Sequence, residues 1–262
     1  MILPILRNEI AKTVRGKIPY LGIAAVCLVC VVIFIFTRNL TDSDTVNGWA
    51  FVGFAMQGAF SDVGLVFIAI FAALLLAEET GSGTARMVLS SPVWRWEFFV
   101  AKTLMGLLYV TAMYATALIV AVVLGAFRYE FGDVADTAGL IYGKKEVFLN
   151  IVASSLLGWI PISAIVPFGV FLSAMTKKGS QATGIVVGVL VLVETVKHLL
   201  GVGSYVFTTY TGSSWAIFQE VARGVAYEWF PETWKILVVP LIYWAVLFTA
   251  GLMIFCKRDL ND

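Results

Sequence analysis

Residues 19–36 read PYLGIAAVCLVCVVIFIF, a stretch without a single charged side chain. A bilayer core about 30 Å thick requires roughly 20 apolar residues in helical form. Because lipid offers no water to the backbone, the peptide groups must pair within the segment, and a helix achieves this. The stretch therefore predicts a transmembrane helix. Cys27 and Cys30 lie inside it, and we interpret them as packing residues, since a reactive thiolate needs an accessible, electropositive setting.

Further apolar stretches of similar length follow along the chain, at residues 60–77, 104–127, 149–175, 182–200 and 236–256. Of the 262 residues, 60% are hydrophobic and 13% charged, whereas a soluble domain carries about 25% charged residues. The runs lack the alternation of transmembrane strands. The sequence predicts an all-α membrane protein with six transmembrane helices, organised as a single transmembrane domain over residues 1–262.

The distribution of Lys and Arg predicts the orientation in the bilayer. Eleven of the 18 basic residues fall on the side that carries both termini, within residues 7–17, 86–102, 177–178 and 257–258. Cytoplasmic loops carry such an excess. We therefore expect a multi-pass protein of the plasma (inner) membrane with its N- and C-termini in the cytoplasm. The net charge of +1 gives no reason to expect a nucleic-acid partner.

Residues 1–18 precede the first span and carry a helical apolar stripe. Leu3, Leu6, Ile10 and Val14 recur at spacings of three and four residues. An amphipathic helix of this kind lies in the membrane plane with its cations towards anionic lipid. It is either a plain anchor or a contact for a cytoplasmic partner, and the sequence leaves both open.

Residues 78–100 separate the second span from the third, and residues 78–92 read EETGSGTARMVLSSP. An acidic pair is followed by a Gly/Ser turn and a short predicted helix, which Thr84 would cap and Pro92 would end. Trp94, Trp96, Phe98 and Phe99 then suit the membrane interface. We interpret the segment as a docking loop for a partner, and an ordinary turn between spans is the alternative. The candidate docking residues are Glu78, Glu79, Gly83, Thr84, Arg86, Met87, Leu89, Ser90 and Pro92.

This segment resembles the loop between the second and third spans of ABC-2-type permeases. In that family an acidic pair precedes a Gly-Thr, a short helix and a Ser-x-Pro-Val turn, and a lysine follows at the next span, here Lys102. Residues 255–260, FCKRDL, also resemble the usual C-terminal motif of the family, with Lys257 in its first basic position.

The resemblance implies a permease subunit of an ABC transporter. It implies a dimer of permeases, a homodimer or a heterodimer, coupled to two copies of a cytoplasmic ABC ATPase that bind ATP-Mg. The N-terminal helix and the loop around Thr84 to Pro92 would meet these ATPases, and export would be the direction of transport. The chain itself contains no G-x-x-x-x-G-K-[ST] phosphate-binding motif, so ATP hydrolysis is expected on the partner, and no enzyme activity or bound cofactor is expected here.

Residues 201–235 separate the fifth span from the sixth on the side opposite the termini. Trp215, Phe218, Ala222, Val225 and Trp229 form a helical stripe ended by Pro231. The pattern predicts a helix that lies on the outer leaflet or re-enters the membrane. The family resemblance implies short outer helices here, which would cap the translocation path.

Ionisable residues near the spans are the candidates for a substrate or gating site. Glu194 stands three and four residues before Lys197 and His198, on one helical face, and Asp62 lies in the second span. They are either structural groups or a substrate or proton site. A self-contained secondary transporter or channel that uses Glu194 and Asp62 is the alternative function. Such proteins are typically built from internal repeats, and no repeat relates residues 1–130 to 131–262.

Two further patterns concern helix packing and chemistry. Gly184 and Gly188 form a small-xxx-small pattern, which is either a dimer interface or a packing face within one subunit. Pro161 and Pro167 predict a kink in the fourth span. His198 is the single histidine, so neither a His-rich metal site nor a catalytic site is predicted.

Overall fold

The computed structural model describes residues 2–39, 47–81, 93–136, 139–176, 178–225 and 232–257. Within them the chain is almost entirely helical and contains six helices long and apolar enough to cross a membrane. The predicted all-α fold with six spans is confirmed. The helices are α1 (Ile2–Arg15), α2 (Ile18–Asn39), α3 (Gly48–Gly58), α4 (Gly64–Gly81), α5 (Arg95–Ala126), α6 (Lys144–Ser163), α7 (Ile165–Ala174), α8 (Gly179–Leu200), α9 (Ser213–Ala222) and α10 (Glu232–Lys257).

The second span is longer than its apolar core suggested. It runs over Gly48–Gly81, where the sequence predicted residues 60–77. Helix α3 continues into α4 through a π-helical turn at Ala59–Val63. At about 1.5 Å per residue, such a helix is far longer than the bilayer core is thick. The prediction assumed a helix just long enough to cross the bilayer core, and it therefore missed the first turns of this one.

The third and fourth spans also begin earlier than predicted. Helix α5 begins at Arg95 rather than near residue 104, because Glu97 and Lys102 ended the apolar run in sequence although both lie buried in the helix. The fourth span, Lys144–Ala174, is interrupted at Ala164, which separates α6 from α7 midway between its two prolines. A short antiparallel hairpin, β1 (Val134–Asp136) and β2 (Gly139–Tyr142), precedes it and was not predicted.

The centre of the bundle is the contact between α4 and α7. Gly169 lies so close to α4 that a Cβ added there would be 2.6 Å from the Cβ of Ala72 and 3.0 Å from the carbonyl oxygen of Ala69. Ser173 donates a hydrogen bond to the carbonyl of Ala73 at 2.5 Å. Small residues thus permit close helix approach, as is usual in lipid. Helices α2, α8 and α10 lie at the periphery and keep many apolar side chains exposed.

Helix α9 is inserted between α3 and α6. Trp215 and Phe218 are fully buried, and the indole of Trp215 donates to the hydroxyl of Tyr114 at 2.9 Å. Gly53 and Gly158 allow this close packing, since a Cβ at either would lie within 2.7 Å of a side chain of α9. The helix is thus packed into the bundle, and its predicted placement relative to the membrane, on the outer leaflet or re-entrant, stays a prediction. The helix ends at Ala222, so Val225 falls outside it, and Trp229 lies outside the described residues.

Candidate functional site

Four ionisable side chains meet at the end of the bundle that carries the termini. The Nζ of Lys102 in α5 lies 2.7 Å from Oε2 of Glu9 in α1 and 2.7 Å from Oε1 of Glu79 in α4. The Nζ of Lys12 lies 3.0 Å from the same Glu79 oxygen. We call these four residues the ion network. It joins the N-terminal helix, the end of the second span and the start of the third.

The local sequence explains how the network forms. Glu9 and Lys12 are three residues apart and therefore share one face of α1. Glu79 lies in the last turn of α4, and Lys102 lies two turns inside α5. The Nζ of Lys102 also lies 5.2 Å from the ring centroid of Phe98, a favourable position for a cation.

Because the network is buried, removing any one of its fully buried charges is costly. Lys102 is fully buried, and Glu9 and Glu79 are buried as well. A buried charge is tolerated only when it is paired, and removing one partner costs about 3–5 kcal/mol. Two carboxylates and two ammonium groups balance in formal charge. The Lys12 contribution is smaller, because half of its side chain is exposed and water screens such pairs.

The surroundings shift the pKa values of the two α1 residues. Burial raises the pKa of the Glu9 carboxyl above its ordinary value, although the charge of Lys102 acts in the opposite direction. Burial lowers the pKa of Lys12, but the hydrogen bond and charge of Glu79 outweigh it, so the pKa is raised overall. Glu9 is thus the member of the network that most readily takes up a proton.

Only two of the predicted docking residues lie in the described part of the chain. Glu79 belongs to the ion network, and Glu78 lines a cavity of about 160 Å³ between α1, α2 and α4, together with Lys12 and Lys17. The others lie outside the described residues, namely Gly83, Thr84, Arg86, Met87, Leu89, Ser90 and Pro92.

The chain after this segment is anchored to the end of α10. A side-chain nitrogen of Arg95 donates to the carbonyl of Cys256 at 3.0 Å. Phe98 and Phe99 pack against Phe255 with ring centroids 5.8 and 5.9 Å apart. Phe98 and Phe99 are both buried in the core, whereas Trp94 is exposed. The placement of these aromatic residues at the membrane interface stays a prediction.

Sequence reasoning missed Glu9 and gave Lys102 no partner. A signal for Glu9 was present, since it is the only acidic residue before Asp42, in a helix that otherwise carries cations. A lone carboxylate among cations on an interfacial helix indicates a charge partner in the bundle.

The candidate substrate residues meet on the opposite side. Asp62 and Glu194 line one cavity of about 290 Å³, and Lys197 forms an ion pair with Glu194 in the predicted i, i+3 arrangement. The side chain of His198 lies outside the described part. Gly184 and Gly188 are exposed on α8, and a Cβ at either would have no described heavy atom within 4 Å. The described part of the subunit therefore does not pack against this glycine face.

Comparison with known families relates this chain to a family of transporter proteins. The family model described as ABC-2 family transporter protein matches residues 5–194, a range that includes the whole ion network and reaches into the fifth span. No curated protein matches the chain.

Proposed function

Because the chain belongs to the ABC-2 family of transporter proteins, it is a multi-pass membrane component of an ABC transporter, and we propose that it is the permease subunit that ATP-driven partners move. The termini and the ion network face the cytoplasm in this proposal. Two copies of a cytoplasmic ATPase bind ATP-Mg and contact the segment around Thr84 to Pro92. The chain carries out no hydrolysis itself, and the direction of transport is export across the inner membrane.

The ion network is the observation that carries the proposal. Helix α4 ends at Gly81, two residues after Glu79, and α5, which contains Lys102, begins at Arg95. The ion network therefore joins the two helix ends that flank residues 82–92 in sequence. Because separating Lys102 from either carboxylate is costly, α1 and the ends of both spans form one mechanical unit. A displacement of the loop by an ATPase would therefore reach three elements together rather than one helix alone.

The peripheral helices support a permease dimer. Helices α2 and α8, the first and fifth spans, expose apolar side chains such as Leu28 and Leu192, and α8 adds the open face of Gly184 and Gly188. Small residues let two helices approach closely in lipid. In this proposal two copies of the chain, or this chain and a related one, meet there and enclose the path.

Affinity purification of the chain from its own membranes, followed by mass spectrometry, tests the proposal. We expect a soluble P-loop ATPase to co-elute, and we expect the R86D/L89D double variant to lose it. The K145M variant is the matched control, because Lys145 is an exposed cation far from the network in sequence. A second readout is ATP-driven transport, which K102M should lower while the ATPase remains bound.

Two outcomes would contradict the proposal. A chain that elutes alone and moves solute down an ion gradient would be a secondary transporter or channel. An R86D/L89D variant that retains its ATPase would place the contact elsewhere on the cytoplasmic face.

A further inference from the structure

The cavity that contains Asp62 and Glu194 lies between three elements of the bundle. Span 2 contributes Gln57 and the π-turn residues Ser61 and Asp62, and α8 contributes Glu194 and Lys197. The third element is the start of α9 with the segment before it, which contributes Thr208, Thr209, Thr211, Gly212, Ser213 and Ala216. Polar side chains in a membrane bundle are costly and often functional, and π turns are frequent at functional sites. The lining is polar on all three sides.

Three of the five hydroxyl groups that line this cavity already donate their protons within the protein. The Ser61 hydroxyl donates its proton to the carbonyl of Gln57 at 2.7 Å, Thr211 donates to Thr208 at 2.8 Å, and Ser213 donates to Thr209 at 3.0 Å. Each hydroxyl has one proton and two lone pairs. Because these protons are already used, the three groups can offer a ligand only acceptor oxygens.

The charged side chains of the cavity also favour a ligand that donates hydrogen bonds and carries a positive charge. Lys197 is buried and is occupied by Glu194 and by the hydroxyl of Thr208, 3.4 Å away. The two carboxylates and this one ammonium group leave the cavity with a formal charge of −1. Oε1 of Glu194 is buried and makes no hydrogen bond to any described residue, which is unfavourable for a carboxylate oxygen. A cationic donor would satisfy it.

Size and ligand set favour an organic cation over a metal ion. A volume of about 290 Å³ exceeds what a bare ion with protein ligands occupies. Within the described ranges, no three His, Cys, Asp or Glu side chains come close enough to hold a metal. A second cavity of about 670 Å³ shares Lys197, Thr209 and Ser213 with the first, and it provides room for the remainder of a larger molecule.

We propose that this cavity binds the protonated amine of a ligand, with Glu194 and Asp62 as the charged acceptors and Ser61, Thr211 and Ser213 as neutral ones. The ligand class is a primary alkylammonium, whose N–H donors match the acceptors; a quaternary ammonium carries the charge without the donors. The amine is either the headgroup of an aminophospholipid or a soluble amine. The inference deepens the proposed function by naming a class of substrate, but binding needs no ATPase and can be measured by itself.

Isothermal titration of the purified chain in detergent tests the proposal, with hexylammonium as the ligand and hexyltrimethylammonium as its matched analogue. We expect saturable binding of hexylammonium that is weakened about tenfold or more in D62N and in E194Q, the loss of one charge-assisted hydrogen bond. Asp62 is exposed and forms no ion pair with a described residue, so D62N is the variant expected to fold without difficulty. E220Q is the control, because Glu220 pairs with Arg223 on the surface.

Equal affinity for the two ligands, or unchanged affinity in both D62N and E194Q, would overturn the proposal. Repeating the titration in phosphatidylcholine vesicles with and without phosphatidylethanolamine identifies the source of the amine. Competition by phosphatidylethanolamine assigns the site to a lipid headgroup, and its absence assigns the site to a soluble amine. Loss of the ATPase partner in the co-purification would leave these results untouched, so the two proposals fail separately.

Discussion

At the scale of single residues, Lys102 determines how α1, α4 and α5 meet at one end of the bundle. Its ammonium group has no exposed surface, so the pairing with Glu9 and Glu79 is required for the helix α5 to sit where it does. Lys12 touches the same Glu79 oxygen but keeps half of its side chain exposed. Replacing Lys102 should therefore lower the free energy of unfolding much more than replacing Lys12.

We expect K102M to destabilise the protein by roughly 3 kcal/mol, equivalent to about 10 °C in the unfolding temperature of a chain of this size. The variant leaves Glu9 buried beside an apolar side chain, so Glu9 becomes protonated. Thermal unfolding in detergent is the measurement. K12M is the matched control, and it should cost less than about 1 kcal/mol because the pair is half exposed. Similar losses in both variants would show that burial does not govern the network.

The sequence identified part of this site. The acidic pair at residues 78–79 and the lysine at 102 stand out in the motif. Their partners, Lys12 for Glu79 and Glu9 for Lys102, are 67 and 93 residues away and cannot be assigned from spacing. Glu9 was not predicted as a site residue, because the pattern of α1 identifies only its apolar stripe, which includes Leu3 and Ile10. The pairing of Glu9 with Lys102 depends on how α1 lies against α5. Tertiary placement, not local pattern, decides which charges meet.

At the scale of elements, the apolar runs predict that six spans exist, but they do not predict where the helices end. Two helices extend beyond the apolar runs from which they were predicted, namely Arg95–Ala126 and Gly48–Gly81. Charged or glycine-rich turns remain helical where neighbouring helices pair their charges and pack against their glycines. The apolar stripe of α9 is evident in the sequence, yet how deeply the helix packs into the bundle depends on the space left by Gly53 and Gly158. Such space is a property of the neighbouring helices.

We expect G169A to destabilise the bundle by about 1–3 kcal/mol, the usual cost of overpacking. The new methyl group would meet the backbone of α4 at Ala69, which cannot move aside as a flexible side chain can. Unfolding temperature in detergent measures the effect. G184A is the control, since this helical glycine has open space and alanine is the better helix former. A G169A variant as stable as the unmodified protein would show that α4 and α7 can separate freely.

At the scale of the whole molecule, the ion network and the proposed amine cavity share one helix, the network at its end and the cavity near its middle. Asp62 and Glu79 both belong to span 2, and 17 residues of helix separate them by about 25 Å. A displacement of span 2 at Glu79 therefore also displaces Asp62, which lines the cavity, because no loop separates the two residues. The proposed point of ATPase coupling at Glu79 and the proposed binding site at Asp62 thus lie on one continuous span.

We expect the G184L/G188L double variant to lose dimerisation, because two leucines would hold the partner helix away from α8. Light scattering of the detergent-solubilised chain gives the mass. The G184A/G188A variant, which keeps both side chains small, should remain dimeric. A leucine variant of unchanged mass would move the contact between copies to another face.

The π turn at Ala59–Val63 acts as a phase shift between the two halves of span 2. Its hydrogen bonds span five residues where those of an α-helix span four, so the turn contains one surplus residue. One residue corresponds to about 100° of rotation around the helix axis. Without the surplus residue, the side chains of α3 would face about 100° away from their present neighbours if those of α4 stayed in place.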